Sequence, residues 1–328
     1  MISPHTLDCL GSNTTVLVNL SLSSNSPSSI ITTSQILSLA SNPNIRSLAL
    51  ESLKIKDDSG YDFETRVPLC HLEKLSSKGN LRHLFPILRR LELPERVDHA
   101  RLEFYGQSFD AREIIVPYIR DYLRRDPRFK DRLGIFVSRT GDCVSFRASV
   151  IGFGYHGPDR LLQQAPPYTT FSVTLPGYIQ LDEKEKLCID ILVLLSRESI
   201  VYFETNLSTI PTVEAIAAMP NLEALYLIDT VVYDEFLLLD PDGLSIHTKL
   251  LPSLQRLYLQ DARAEGSDWW PLYHYAAHQT SDNHPFSLLF GEYMHICSGL
   301  AEEIKGLVEE FVYDRKAECP FHECDERF

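Results

Sequence analysis

One short phrase is written into the chain four times: Pro43-Asn-Ile45-Arg-Ser-Leu48-Ala-Leu50, Pro86-Ile-Leu88-Arg-Arg-Leu91-Glu-Leu93, Pro220-Asn-Leu222-Glu-Ala-Leu225-Tyr-Leu227 and Pro252-Ser-Leu254-Gln-Arg-Leu257-Tyr-Leu259. A proline followed by apolar residues at spacings of three and then two describes a turn running into a strand that buries alternate side chains. Proline has no N–H to contribute, so it fits where the strand's ladder has not yet begun. Two weaker copies extend the series. Leu17-Val-Asn-Leu20-Ser-Leu22 lacks only the proline, and Leu72-Glu-Lys-Leu75 follows Pro68 with one extra residue and ends in polar Ser77. A unit of this kind cannot cover its own apolar face, so neighbours of the same kind must cover it.

The phrase overlaps the L-x-x-L-x-L core of the leucine-rich repeat. The expected fold is therefore α/β, an irregular leucine-rich-repeat solenoid with a parallel curved sheet on its concave side and helices on its convex side. The first anchors stand at 17, 45, 72, 88, 222 and 254, separated by 28, 27, 16, 134 and 32 residues, so the repeat is regular towards both ends and interrupted between them. The asparagine or cysteine usual three places after the last leucine is replaced by Leu53, Thr230 and Ala262. Helical periodicity precedes two of the strands, because Ile36, Leu39 and Ala40 before Pro43 match Val213, Ile216 and Ala217 before Pro220.

With 328 residues, 44% of them hydrophobic, the chain exceeds an ordinary domain length, yet a solenoid grows by adding units rather than cores. A single repeat domain over 1–328 is expected. Its section 99–205 is irregular: Ala100 to Tyr105, Leu133 to Ser138, Cys143 to Ile151 and Thr169 to Leu175 read as strands, and Phe109 to Arg125 as a helix. An inserted domain, with its seam in the glycine- and proline-bearing stretch 152–167, is the alternative there. An amphipathic helix at about 298–313 is expected to cap the end, leaving 314–328 as a flexible tail.

A net charge of -14, from 45 acidic against 31 basic residues, disfavours nucleic acid and anionic membranes as partners. The densest basic run, Arg120 to Arg132, is interleaved with Asp121, Asp126 and Asp131, which reads as a solvated helix end with local ion pairs. There is no signal-peptide pattern in Met1 to Leu22 and no later run of about twenty apolar residues. Seven irregularly spaced cysteines suit reduced thiols, so a cytoplasmic or nuclear address is expected.

Catalytic patterns are scarce. Gly152-Phe-Gly-Tyr-His-Gly157 lacks the order of a dinucleotide-binding turn, and Asp240-Pro-Asp-Gly243 lacks the remaining ligands of a calcium loop. His274 and His278 lie four apart on a helix without an obvious third ligand, and Cys319-Pro-Phe-His322-Glu-Cys324 is a weak zinc candidate through Cys319, His322 and Cys324. No cofactor is expected; a metal-assisted enzyme using these groups is the least favoured reading.

In parallel strands, the residues between the leucines point outward. That places Arg90, Glu92, Tyr226, Arg256 and Tyr258 on the concave face. Tyr226 and Tyr258 occupy equivalent places in adjacent units with Arg256 beside them, and tyrosine and arginine dominate binding hot spots. A protein-binding patch is expected there, against the alternative of a tyrosine ladder that only stabilises the sheet.

Four strings, Pro117-Tyr-Ile-Arg-Asp-Tyr-Leu-Arg-Arg-Asp-Pro-Arg-Phe-Lys-Asp-Arg-Leu133, Thr248-Lys-Leu-Leu-Pro-Ser-Leu-Gln-Arg-Leu257, Ala277-His-Gln-Thr-Ser281 and Ile304-Lys-Gly-Leu-Val-Glu-Glu-Phe311, resemble the C-terminal region of fungal F-box proteins with degenerate leucine-rich repeats. The likeness covers most of residues 45–320. It implies a non-catalytic substrate receptor of an SCF-type ubiquitin ligase, in which an upstream F-box docks on a Skp1-type adaptor while the repeats hold the protein to be modified. The F-box helices are not recognisable here, where the chain opens almost directly on the strand-like Val16 to Leu22. A stand-alone repeat scaffold without a ubiquitin role is the alternative.

Overall fold

The computed structural model describes residues 17–23, 30–56, 58, 66–105, 111–141, 143–151, 169–175, 181–207, 215–216, 218–229, 231–232, 251–261, 263–264, 270–280, 285–291, 296 and 298–313. Along the chain the long strands are β1 (Asn19–Ser23), β2 (Ser47–Glu51), β3 (Lys74–Asn80), β4 (His99–Tyr105), β5 (Leu133–Thr140), β6 (Cys143–Val150), β7 (Thr169–Leu175), β8 (Ile200–Thr205), β9 (Ala224–Ile228), β10 (Arg256–Gln260), β11 (Ser287–Phe290) and β12 (Glu310–Tyr313). The helices are α1 (Thr33–Ala40), α2 (Leu81–Leu88), α3 (Ala111–Arg125), α4 (Leu181–Leu194), α5 (Trp270–Thr280) and α6 (Ser298–Leu307). The fold is α/β with mostly parallel pairing, and no helix among the described residues is long and apolar enough to cross a membrane. The chain divides into two compact units, 1–131 with 140–195, and 132–139 with 196–328.

The first unit has strand order β1-β2-β3-β4-β7-β6. Every pair is parallel except β6 with β7. Leu20, Leu48, Leu75 and Ala100 stand in register, so the repeat aligns as the phrase requires. Leu20, Leu22, Leu48, Leu50, Leu75 and Leu102 are buried, while their neighbours along the strands remain partly or fully exposed, the signature of a sheet covered on one face. Ser77 takes a leucine's register place and is fully buried; next to it, a methyl group on Gly79 would meet Leu84 of α2 at 3.0 Å, so the small residues admit the helix.

The second unit has strand order β5-β8-β9-β10-β11-β12, parallel throughout. Leu225, Leu257, Leu288 and Phe311 are in register. Here both faces are largely covered, since Val201, Tyr202, Phe203, Leu225, Tyr226 and Leu227 are all buried in consecutive positions.

The turns repeat as closely as the strands. The carbonyl before each proline accepts from the first anchor's amide in Asn42 to Ile45, Met219 to Leu222 and Leu251 to Leu254, at 3.3, 3.4 and 3.1 Å, and Leu69 does the same for Leu72 at 3.1 Å with Cys70 in the proline's place. Proline at the second position pre-sets such a turn. Two residues past the last leucine, Ser52, Asp229 and Asp261 all adopt positive φ, of 52°, 49° and 51°. This kink turns each long strand into a short one, and Lys54–Lys56 and Arg263–Ala264 pair with Ile30–Thr32 and Val231–Val232 in small parallel sheets.

One phrase is misread by its leucines. Pro86-Ile-Leu88 lies within α2, capped by Asn80, whose side chain accepts from the Arg82 amide. Leu81, Leu84, Ile87 and Leu88 are buried along one helical face, and their spacing of three and four also satisfies the first step of the repeat phrase. Leu91–Glu92 is then a two-residue strand beside Val67–Pro68, outside the main sheet of its unit. The place in the sheet goes to β4 instead. The C-terminal cap is likewise shorter than expected: α6 ends at Leu307, and Glu310–Tyr313 continue as edge strand β12.

Candidate functional site

The residues chosen from sequence separate into three situations. Arg90 is fully buried between α2 and the Leu91–Glu92 strand, where its carbonyl accepts from Val67 at 2.8 Å, so the outward placement expected of it does not occur. Glu92 is exposed on that short strand. Tyr226, Arg256 and Tyr258 do share one face of the second unit, with Tyr226 opposite Tyr258 in register.

That face is an aromatic stack. Ring centroids of Phe136, Tyr202, Tyr226 and Tyr258 follow one another at 5.2, 4.9 and 5.1 Å, in tilted pairs of the kind favoured by ring quadrupoles. Tyr226, in the middle, is 1% exposed, so the expected availability of this ring to a partner is corrected. Only the far end is open: Arg256 and Tyr258 are half-buried, and the Tyr258 hydroxyl donates to Gln260 at 3.3 Å while that of Tyr202 donates to Glu204 at 2.8 Å. A β-carbon on Gly291 would stand 2.7 Å from the Tyr258 hydroxyl oxygen and 3.0 Å from the Gln260 side chain. Gly291→Ala is expected to displace Tyr258 and cost about 1–3 kcal/mol in a urea melt, with part of the loss restored in the Tyr258→Ala background. Equal losses in both backgrounds would show that the ring does not depend on that gap.

The open face lies in the first unit, where the strands carry short polar residues outward. Ala49, Ser76, Arg101, Ser172 and Arg147 form one cross-strand row, and Glu51, Lys78, Glu103, Thr174 and Ser145 the next. Arg101 has 68% of its side chain exposed above this low floor. It contacts Glu103 at 3.3 Å, and Glu103 also pairs with Lys78 at 2.6 Å. Tyr105 stands exposed at the end of β4, opposite Asn80. Among the described residues of this face, Lys74, Lys78, Arg101 and Arg147 stand with Glu51 and Glu103. The strand itself is legible in the sequence from the alternation in Ala100 to Tyr105; its place in this open face is not, because it lacks the proline-led phrase.

The remaining candidates do not converge. His274 packs edge-on against Tyr273 at 5.5 Å on α5, while Leu272 and Ala276 of that helix are buried as its apolar face requires. Among the described residues no three His, Cys, Asp or Glu side chains lie close enough together to hold a metal ion. Cys319, His322 and Cys324, the Gly152–Gly157 turn and the Asp240–Gly243 turn lie outside the described residues. The basic run resolves into local pairs, with Arg120 3.9 Å from Asp121 and Arg128 2.6 Å from buried Asp126. Neither a scan against protein-family models nor a search of the curated proteins finds a match for this chain.

Proposed function

We propose that this protein is a non-catalytic scaffold of leucine-rich-repeat type that holds another protein against the outer face of its first unit. The carrying observation is that face itself. Its parallel strands bury leucines inward and present Ser, Ala and Thr outward, from which Lys78, Arg101 and Tyr105 rise. A flat floor of short side chains admits close approach, and exposed arginine and tyrosine are the groups that most often dominate association energy. The register-matched strands, the repeated proline turns and the three left-handed residues support the repeat reading. In its finer form, which rests on the four F-box-like strings, the chain supplies the substrate-recognition repeats of an SCF-type ubiquitin ligase.

Affinity capture followed by cross-linking tests the location. The double variant Arg101→Glu, Tyr105→Ala is expected to lose the cross-linked prey, while Arg256→Glu, Tyr258→Ala retains it. Loss in the second variant alone would move the site to the aromatic end of the second unit, and retention in both would remove the sheet faces from binding. Co-purification with a Skp1-type adaptor, from the longest expressed form, separates the ligase reading from a stand-alone scaffold.

A further inference from the structure

We draw no further inference here: the strongest candidate, the cleft over the turns that lead into β2, β3 and β4, lined by Arg46, Cys70, His71, Glu73, Arg96 and Asp98, carries nothing, because its guanidinium and carboxylate groups already pair with one another, Arg46 with Glu73 at 2.8 Å and Arg96 with Asp98 at 3.2 Å, and nothing in the structure beside the exposed Cys70 shows what would occupy it.

Discussion

Replacing Tyr226 by alanine is expected to lower the free energy of unfolding by about 3–5 kcal/mol, the largest loss for any residue of the aromatic stack. The ring is 1% exposed and lies between two others at 4.9 and 5.1 Å, so truncation removes both ring contacts and leaves a cavity that hydrogen-bonded parallel backbones cannot collapse. Tyr258→Ala, at the half-exposed end, should cost about 1–2 kcal/mol, because it gives up one ring neighbour and little buried area. Urea denaturation of the two variants and of Tyr226→Phe ranks them. A loss below about 1 kcal/mol for Tyr226→Ala, together with loss of captured prey, would mean that the ring is a contact residue rather than packing. With a large loss of stability, any binding defect of that variant follows from the weakened sheet.

Tyr226 also shows what alternation can and cannot reveal. Strand period assigns a side chain to a face, and the pairing of Tyr226 with Tyr258 is as the repeat implies. Whether that face is covered is a separate property, carried by composition. Asn19–Ser23 and His99–Tyr105 alternate polar with apolar and expose their outer residues, whereas Ala224-Leu-Tyr-Leu-Ile228 contains no charge and is buried through its three central positions. A continuous apolar run is the mark of a strand covered on both sides, and it was present in the sequence beside the phrase.

The phrase itself was legible wherever a proline turn preceded it and ambiguous where a helix could use the same leucines. In Leu81 to Leu88 the spacing of three serves a helical face, and the asparagine cap at Asn80 tips the balance towards helix despite Pro86. The turn residues are clearer in retrospect. Ser52, Asp229 and Asp261 carry the left-handed conformation one place before the expected asparagine, and short polar side chains are the ones that tolerate it. Arg66, Arg89 and Arg125 line one groove of the first unit, and that grouping was not legible because they are far apart in sequence. Lys78, Arg101 and Tyr105 converge through strand register in the same way.

The second large loss is expected at Asp126, where the basic run of α3 turns inward. Its carboxylate has no exposed surface and receives the Arg128 amide at 3.0 Å, Arg128 Nε at 3.0 Å and Arg128 Nη2 at 2.6 Å. Arg128 Nη2 also donates to the Val97 carbonyl at 2.6 Å, joining the end of α3 to the chain before β4. Burial opposes the charged guanidinium, but the hydrogen bond and charge of Asp126 outweigh it, and the arginine's pKa is raised above its ordinary value. Asp126→Ala removes the cap and strands a mostly buried cation, with a cost of about 3–5 kcal/mol. Asp126→Asn keeps one acceptor for the Arg128 amide and should lose about half as much. Arg128→Met alone strands the carboxylate instead, so the Asp126→Ala, Arg128→Met double variant should cost roughly as much as one single change, a coupling as large as the other single loss. The coupling should persist at high salt, since the pair is shielded from counterions. Additivity of the two single losses to within about 0.5 kcal/mol would show that Val97 and Asp98, which lies 3.6 Å from Arg128, hold the guanidinium without Asp126.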